Sequence, residues 1–250
     1  MDFLIQNNVV HTGSSIQSSQ PQQHPYYPPS LVLDGYNAPK RSTFALVSTM
    51  GGAIGVLLSV TYLAYSWKRT AKTISLADRL VAMWFVMCGA MHSLFELYYL
   101  THYSTLCNSQ EFAADMWKEY AKSDSRYLSQ MPLVFALESI TVFVTAPLCW
   151  AAAYGVWKSR PEIRHLSQLA ASLLHIYSVV LYFGTELLSP ESNCRPEPLY
   201  YYGYFIAMNI PWLLVPSYLA YNSVGEMIWH MQIAMTCSLD SSGTANFVNK

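Results

Sequence analysis

Charge is what this chain has little of. Only 12% of its 250 residues are Asp, Glu, Lys or Arg, about half the usual share, while 52% are hydrophobic and gathered into long uninterrupted runs. That pattern excludes an ordinary soluble domain and gives an all-α, polytopic membrane protein. The net charge is -1 and no basic cluster is present, so the Lys/Arg footprint of nucleic-acid binding is missing. None of the five cysteines stands in C-x-x-C spacing, which argues against a zinc site or a thioredoxin-type centre. There is no glycine-rich nucleotide fingerprint and no metal-binding box, so no cofactor is expected. The amino terminus has no charged segment ahead of an apolar core and does not read as a signal peptide.

What is present divides into three parts. Residues 1–23 are rich in Gln and Ser and read as a disordered polar tail. Residues 24–225 read as one domain of five transmembrane helices in a bundle, and residues 226–250 as a cytosolic tail. The segment HPYYPPSLVLDGYNAP combines aromatics with prolines and is expected to lie at the membrane surface against the helix ends. Five apolar runs follow, at about 43–67, 80–100, 129–157, 166–188 and 199–224, each near the 20 or so residues a spanning helix needs. Lys68, Arg69, Lys72 and Arg79 fall between the first two, and Lys158, Arg160 and Arg164 between the third and fourth. The positive-inside rule makes both loops cytosolic, with the carboxyl tail on that side and the 101–128 and 189–198 loops opposite. Cys107 and Cys194 lie in those opposite loops and either form a disulfide or, on the plainer reading, stay free thiols. Within the 101–128 loop, EFAADMWKEYAKSDSRY has helical spacing. It reads as a short amphipathic segment, a candidate lid, with Glu111, Asp115, Lys118, Glu119 and Lys122 on a polar face.

The second run carries His92 and Glu96, and Glu138 is the only charged residue of the third. An ionisable group at the centre of a spanning helix costs roughly 2.5–3.5 kcal/mol on the insertion scale, so such groups mark function. His92 and Glu96 are four apart and share a helix face. Two readings of the pair stand: a structural hydrogen bond between helices, or a carboxylate that holds an imidazole for proton transfer. Glu138 shifts the balance toward an acid-base site, as a buried carboxyl that donates a proton or faces a cation. Thr141, three residues on, is placed to hold its rotamer. Asn209 and Trp212 share a face of the fifth span, an amide to complete the polar network and an indole to face positive charge; for Trp212 alone, core packing is the simpler reading. A metal held by His92, Glu96 and Glu138 is demoted, because membrane di-iron centres need many histidines and the chain has seven. Ser93 beside His92 points about 100° away and supplies no nucleophile. His175 reads as pocket-lining or structural, and Glu186 as near the interface. Pro211 and Pro216 are expected to bend the fifth span.

Six segments carry a resemblance: HPYYP (24–28), CGAMHSLFE (88–96), WKEYAKSDSRY (117–127), LESIT (137–141), LYFGTE (181–186) and MNIPW (208–212). Through them the chain resembles the emopamil-binding protein family, the sterol Δ8-Δ7 isomerases of the endoplasmic reticulum, within a wider group that includes the sigma-2 receptor. The resemblance implies an intramembrane ligand cavity, a homodimer, and that His92, Glu96, Glu138, Thr141, Asn209 and Trp212 correspond to residues required for isomerisation. Three departures stand out. Val179 replaces an acidic residue before LYF, His175 replaces a Gln, and Pro211 interrupts the turn from Asn209 to Trp212. The expected reaction protonates a Δ8 alkene at C9, forms a tertiary cation at C8 and removes a proton from C7. Glu138 is the expected acid and cation stabiliser, and His92 with Glu96 the relay or acceptor. The expected partners are a sterol or related polycyclic lipid, lipophilic amines as inhibitors, and the bilayer. Two alternatives remain: a related isomerase or cyclase of another polycyclic terpenoid, and a non-catalytic sterol- or amine-binding receptor.

Overall fold

The computed structural model describes residues 24–67 and 74–247, and all regular structure among them is helical. The tail expected at 1–23 and the basic residues Lys68, Arg69 and Lys72 lie outside the described residues. Helix α1 is Thr43–Trp67 and α2 is Leu76–Thr101. A short helix, α3, covers Phe112–Tyr120, followed by a 3-10 turn at Ser125–Tyr127. Helices α4 (Pro132–Lys158) and α5 (Pro161–Leu187) complete the set of four described helices long and apolar enough to span a bilayer.

The fifth expected span is built differently. Leu199–Ala207 is a π-helical segment, α6, and after a turn at 208–210 the chain restarts as α7, Pro211–Phe247. Pro211 has no N–H to give the preceding ladder, so the helix restarts there, while Pro216 lies within α7. Residues expected to leave the helix near Val224 instead continue it to Phe247.

Helix α2 packs on α1 and α4, and α5 packs on α4 and α7. Helix α1 buries only Leu46, Thr61 and Tyr65, and large apolar side chains such as Phe44 (82% exposed) and Val56 (66%) face outward. In water such a surface would aggregate; in a bilayer it faces acyl chains. The protein is therefore a multi-pass membrane protein.

The α4–α5 corner shows how local sequence sets the packing. Ser159 takes φ 54° and ends α4, and Pro161 opens α5 at its first turn, where a missing N–H costs nothing. Gly155 lets α5 come close: a Cβ there would lie 2.5 Å from Arg164 N. At the same end Arg164 Nη1 donates to Asp78 Oδ1 at 2.6 Å.

At the opposite end, α3 and the 24–43 strap form a fixed cap. The polar face expected on α3 is covered rather than solvated, since Asp115, Lys118 and Glu119 are buried. Burial is tolerated because each is paired. Asp115 Oδ2 accepts from Lys40 N at 3.1 Å and Arg41 Nη1 at 2.8 Å. Lys118 Nζ donates to Asn37 O at 2.6 Å and Ser109 O at 2.5 Å. Glu119 Oε2 accepts from Lys122 Nζ at 2.7 Å and Thr43 Oγ1 at 3.0 Å. Tyr26 is buried and donates to Lys118 O at 3.2 Å. Trp117 stacks on Phe95 with ring centroids 4.3 Å apart.

Arg126 anchors this cap. It donates through Nε and Nη2 to Asp124, through Nη1 to Thr185 Oγ1 at 2.8 Å and through Nη2 to Tyr182 O at 3.2 Å. Burial pushes the Asp124 carboxyl up, against the hydrogen bonds of Arg126 that pull it down. Glu186, expected near the interface, is buried and holds the 189–194 loop by accepting from Asn193 N and Nδ2, both at 2.8 Å. Cys107 and Cys194 are free thiols, so the disulfide alternative is set aside.

Candidate active site

Two π-helical turns frame the site, Met91–Glu96 within α2 and Thr141–Thr145 within α4. Such turns insert a residue into the i to i-4 ladder and often occur where side chains must be re-aimed. The first contains His92 and Glu96 themselves. His92 Nδ1 lies 2.7 Å from Glu96 Oε1, so the pairing expected from their spacing forms.

Glu138, in α4 just before the second π turn, is 9% exposed. Its Oε1 accepts from Tyr127 Oη at 2.8 Å. Burial, then the charge of Glu138, raises the Tyr127 phenol well above its ordinary range, so the phenol keeps its proton and remains the donor. The Glu96 and Glu138 carboxyls are near enough to interact with each other, and His92 interacts with Glu138 as well. Three titratable groups from two helices thus converge.

The other expected members are nearby but bonded differently. Thr141 does not hold Glu138; its Oγ1 donates to Leu137 O at 2.8 Å, the usual back-bond of a helical threonine. Asn209 Nδ2 donates to Phe205 O at 2.8 Å and to Tyr120 Oη at 3.3 Å rather than to a carboxyl. Tyr120, whose phenol burial pushes up to about 12, lies 3.4 Å from Tyr182 Oη. Trp212 packs on Trp84 with centroids 5.4 Å apart.

Two residues that spacing did not reveal belong to the cluster. One is Tyr127, eleven positions before Glu138. The other is His175 of α5, whose Nε2 lies 3.0 Å from His92 Nε2. Cys88 brings its sulfur to this pair, the three ligand atoms lying within 4.8 Å of one another. The facing nitrogens are already joined at hydrogen-bond length, so the cluster reads as an imidazole pair sharing a proton rather than as a ligand set.

All six expected residues, with Tyr127 and His175, line one cavity of about 330 Å³, within the range of small-molecule sites. Leu46, Val47, Met50 and Ile54 of α1 form its apolar wall. Glu119, Tyr120 and Tyr204 bring polar atoms to it from the cap and α6.

The comparisons with known proteins follow this geometry. The family model EXPERA (EXPanded EBP superfamily) matches residues 112–223. A 3-beta-hydroxysteroid-Delta(8),Delta(7)-isomerase from Cavia porcellus is 31% identical over 221 residues, 88% of this chain and 96% of the relative. The chain belongs to the EXPERA family. Other relatives of this EXPERA protein include a probable 3-beta-hydroxysteroid-Delta(8),Delta(7)-isomerase from Arabidopsis thaliana, 31% identical over 80% of this chain and 86% of the relative. An isomeliandiol synthase from Ailanthus altissima is 32% identical over 72% of this chain and 84% of the relative. The family match begins at α3 and includes Glu138, His175, Asn209 and Trp212. His92 and Glu96 stand before it.

Proposed function

We propose that this protein is a sterol Δ8-Δ7 isomerase that moves a C8–C9 double bond to C7–C8 through a carbocation. The observation that carries the reading is the joining of Glu138, Glu96 and His92 at one cavity whose wall on α1 is apolar. Glu138 protonates C9, with Tyr127 holding its carboxyl in place. The cation at C8 develops beside two carboxyls and the face of Trp212. A base of the His92–Glu96 chain removes the C7 proton, and the C–H electron pair becomes the new π bond. Only groups that hold the cation more tightly than the neutral alkene speed this reaction. Fixed carboxyls in a largely apolar bundle meet that requirement.

The relatives named as isomerases support this substrate class. One observation favours a second reading, another polycyclic terpenoid as substrate: the isomeliandiol synthase reaches 32% identity, over 72% of this chain against 88% for the isomerase from Cavia porcellus, and Val179 and His175 both line the cavity. Lipophilic amines are expected to inhibit by placing an ammonium where the cation forms. We further propose a homodimer in the endoplasmic reticulum membrane with its carboxyl terminus cytosolic. Complementation tests the main reading. Cells lacking Δ8-Δ7 isomerase should regain Δ7 sterols with the wild type and not with Glu138→Gln, and failure of a well-expressed wild type would overturn the assignment.

A further inference from the structure

Both ring nitrogens of His92 are engaged, Nδ1 with Glu96 Oε1 at 2.7 Å and Nε2 with His175 Nε2 at 3.0 Å. The imidazole expected to act as base therefore has no nitrogen left for a substrate. His175 has one: its Nδ1 is buried without a hydrogen-bond partner on the protein, and the residue lines the cavity. Glu96, at the other end of the chain, lies beside the Glu138 carboxyl, and among the described residues no other group donates to its buried Oε2. The groups facing His175 are His92, with Glu96 and Glu138 behind it, and the Cys88 thiol.

We infer that His175 extends the acceptor by one residue, so that the C7 proton is received at His175 Nδ1 and passed through His92 to Glu96. This rests on the isomerase reading and deepens it. With Glu96 ionised, His92 donates Nδ1–H to it and accepts Nε2–H from His175, which leaves a lone pair on His175 Nδ1. When that lone pair takes the C7 proton, the Nε2 proton of His175 moves to His92 Nε2 and the Nδ1 proton of His92 moves to Glu96. The C7–H electron pair becomes the C7–C8 bond and neutralises C8. Three neutral groups remain, and no buried imidazolium persists. After product leaves, the chain resets in reverse: Glu96 returns its proton to His92 Nδ1, His92 Nε2–H goes back to His175 Nε2, the Nδ1 proton of His175 passes to water entering the cavity, and Glu138 takes its next proton from that water. A glutamine at position 175 can still hydrogen-bond His92 Nε2 but has no basic atom, so His92 itself would have to receive the proton.

The test uses the full chain in membranes, a Δ8 sterol deuterated at C7 so that removal of that hydrogen limits the rate, and single-turnover rates in mixtures of light and heavy water. The wild type should give a bowed dependence on deuterium fraction, the mark of more than one proton moving together. His175→Gln should keep KM, lose about ten- to hundredfold in rate, at or below the lower end of what a general base supplies, and give a straight line. A straight line for the wild type, measured without any variant, would overturn the relay. So would His175→Gln with the wild-type rate and curvature. Absence of Δ7 product from the wild type counts against the isomerase reading itself.

Discussion

At the scale of single residues, the site depends on donors that hold carboxyls still. Tyr127→Phe removes the one hydroxyl that Glu138 Oε1 accepts from and leaves a buried acceptor unpaired, a cost of about 1–3 kcal/mol. If that cost falls on the transition state, kcat drops about ten- to hundredfold with KM little changed, which steady-state rates on a Δ8 sterol will show. An unchanged kcat would mean that Tyr127 is packing only. The pairing of His92 with Glu96 was legible because four-residue spacing puts two side chains on one face. Glu138 was legible because a lone charge in an apolar run must have a reason. Tyr127 was not, and His175 was legible as a residue lining the pocket but not as the partner of His92. No spacing rule connects a turn residue to a helix eleven positions on, or two histidines 83 positions apart. Thr141 was misread for a related reason, since a helical threonine can satisfy itself on its own backbone.

At the scale of elements, close approach of helices sets the cavity. Gly155→Ala places a methyl against the Arg164 backbone, 2.5 Å from its nitrogen, which cannot swing aside. It should cost at least the 1–3 kcal/mol of a typical overpacking change and be read as a lower melting temperature in detergent. Gly89→Ala meets only the Trp150 ring, at 2.8 Å; that residue is 42% exposed, and its ring can turn outward at the cost of one hydrogen bond, from Nε1 to Ser93 Oγ at 3.1 Å. Its melting temperature should fall less, and the reverse order would contradict this account of the α4–α5 corner. Hydropathy located the spanning helices but not the π turns, because no composition signal marks a one-residue insertion in a helical ladder. The helical spacing of α3 was also legible. Its burial was not, because an amphipathic pattern does not say whether water or the 24–43 strap covers the polar face.

At the scale of the whole molecule, the cap and the bundle together line the cavity, and no residue of α7 beyond Trp212 is among its lining residues. Among the α7 residues whose burial is described, Ser223 is the last in the buried core, 3.4 Å from His165 Nδ1. Truncation after Gly225 should therefore leave turnover and melting temperature unchanged; a fall in turnover would show that the distal helix is part of the working unit. Arg126→Ala should do the opposite, because it strips the buried Asp124 of its partner, a loss of about 3–5 kcal/mol, and should abolish folded protein in detergent extracts. The all-helical membrane fold was legible from the scarcity of charge, whereas Pro211 signalled a bend without saying that the helix would break at 208–210, and the polar residues after Val224 gave no sign that α7 runs on to Phe247. The central claim is that a carboxyl in this cavity protonates an alkene, and it is tested most directly by turning over a Δ8 sterol in heavy water and locating the label by mass spectrometry and NMR. A Δ7 product carrying one deuterium at C9, absent with Glu138→Gln, is the predicted result. A Δ7 product without deuterium at C9 would contradict it.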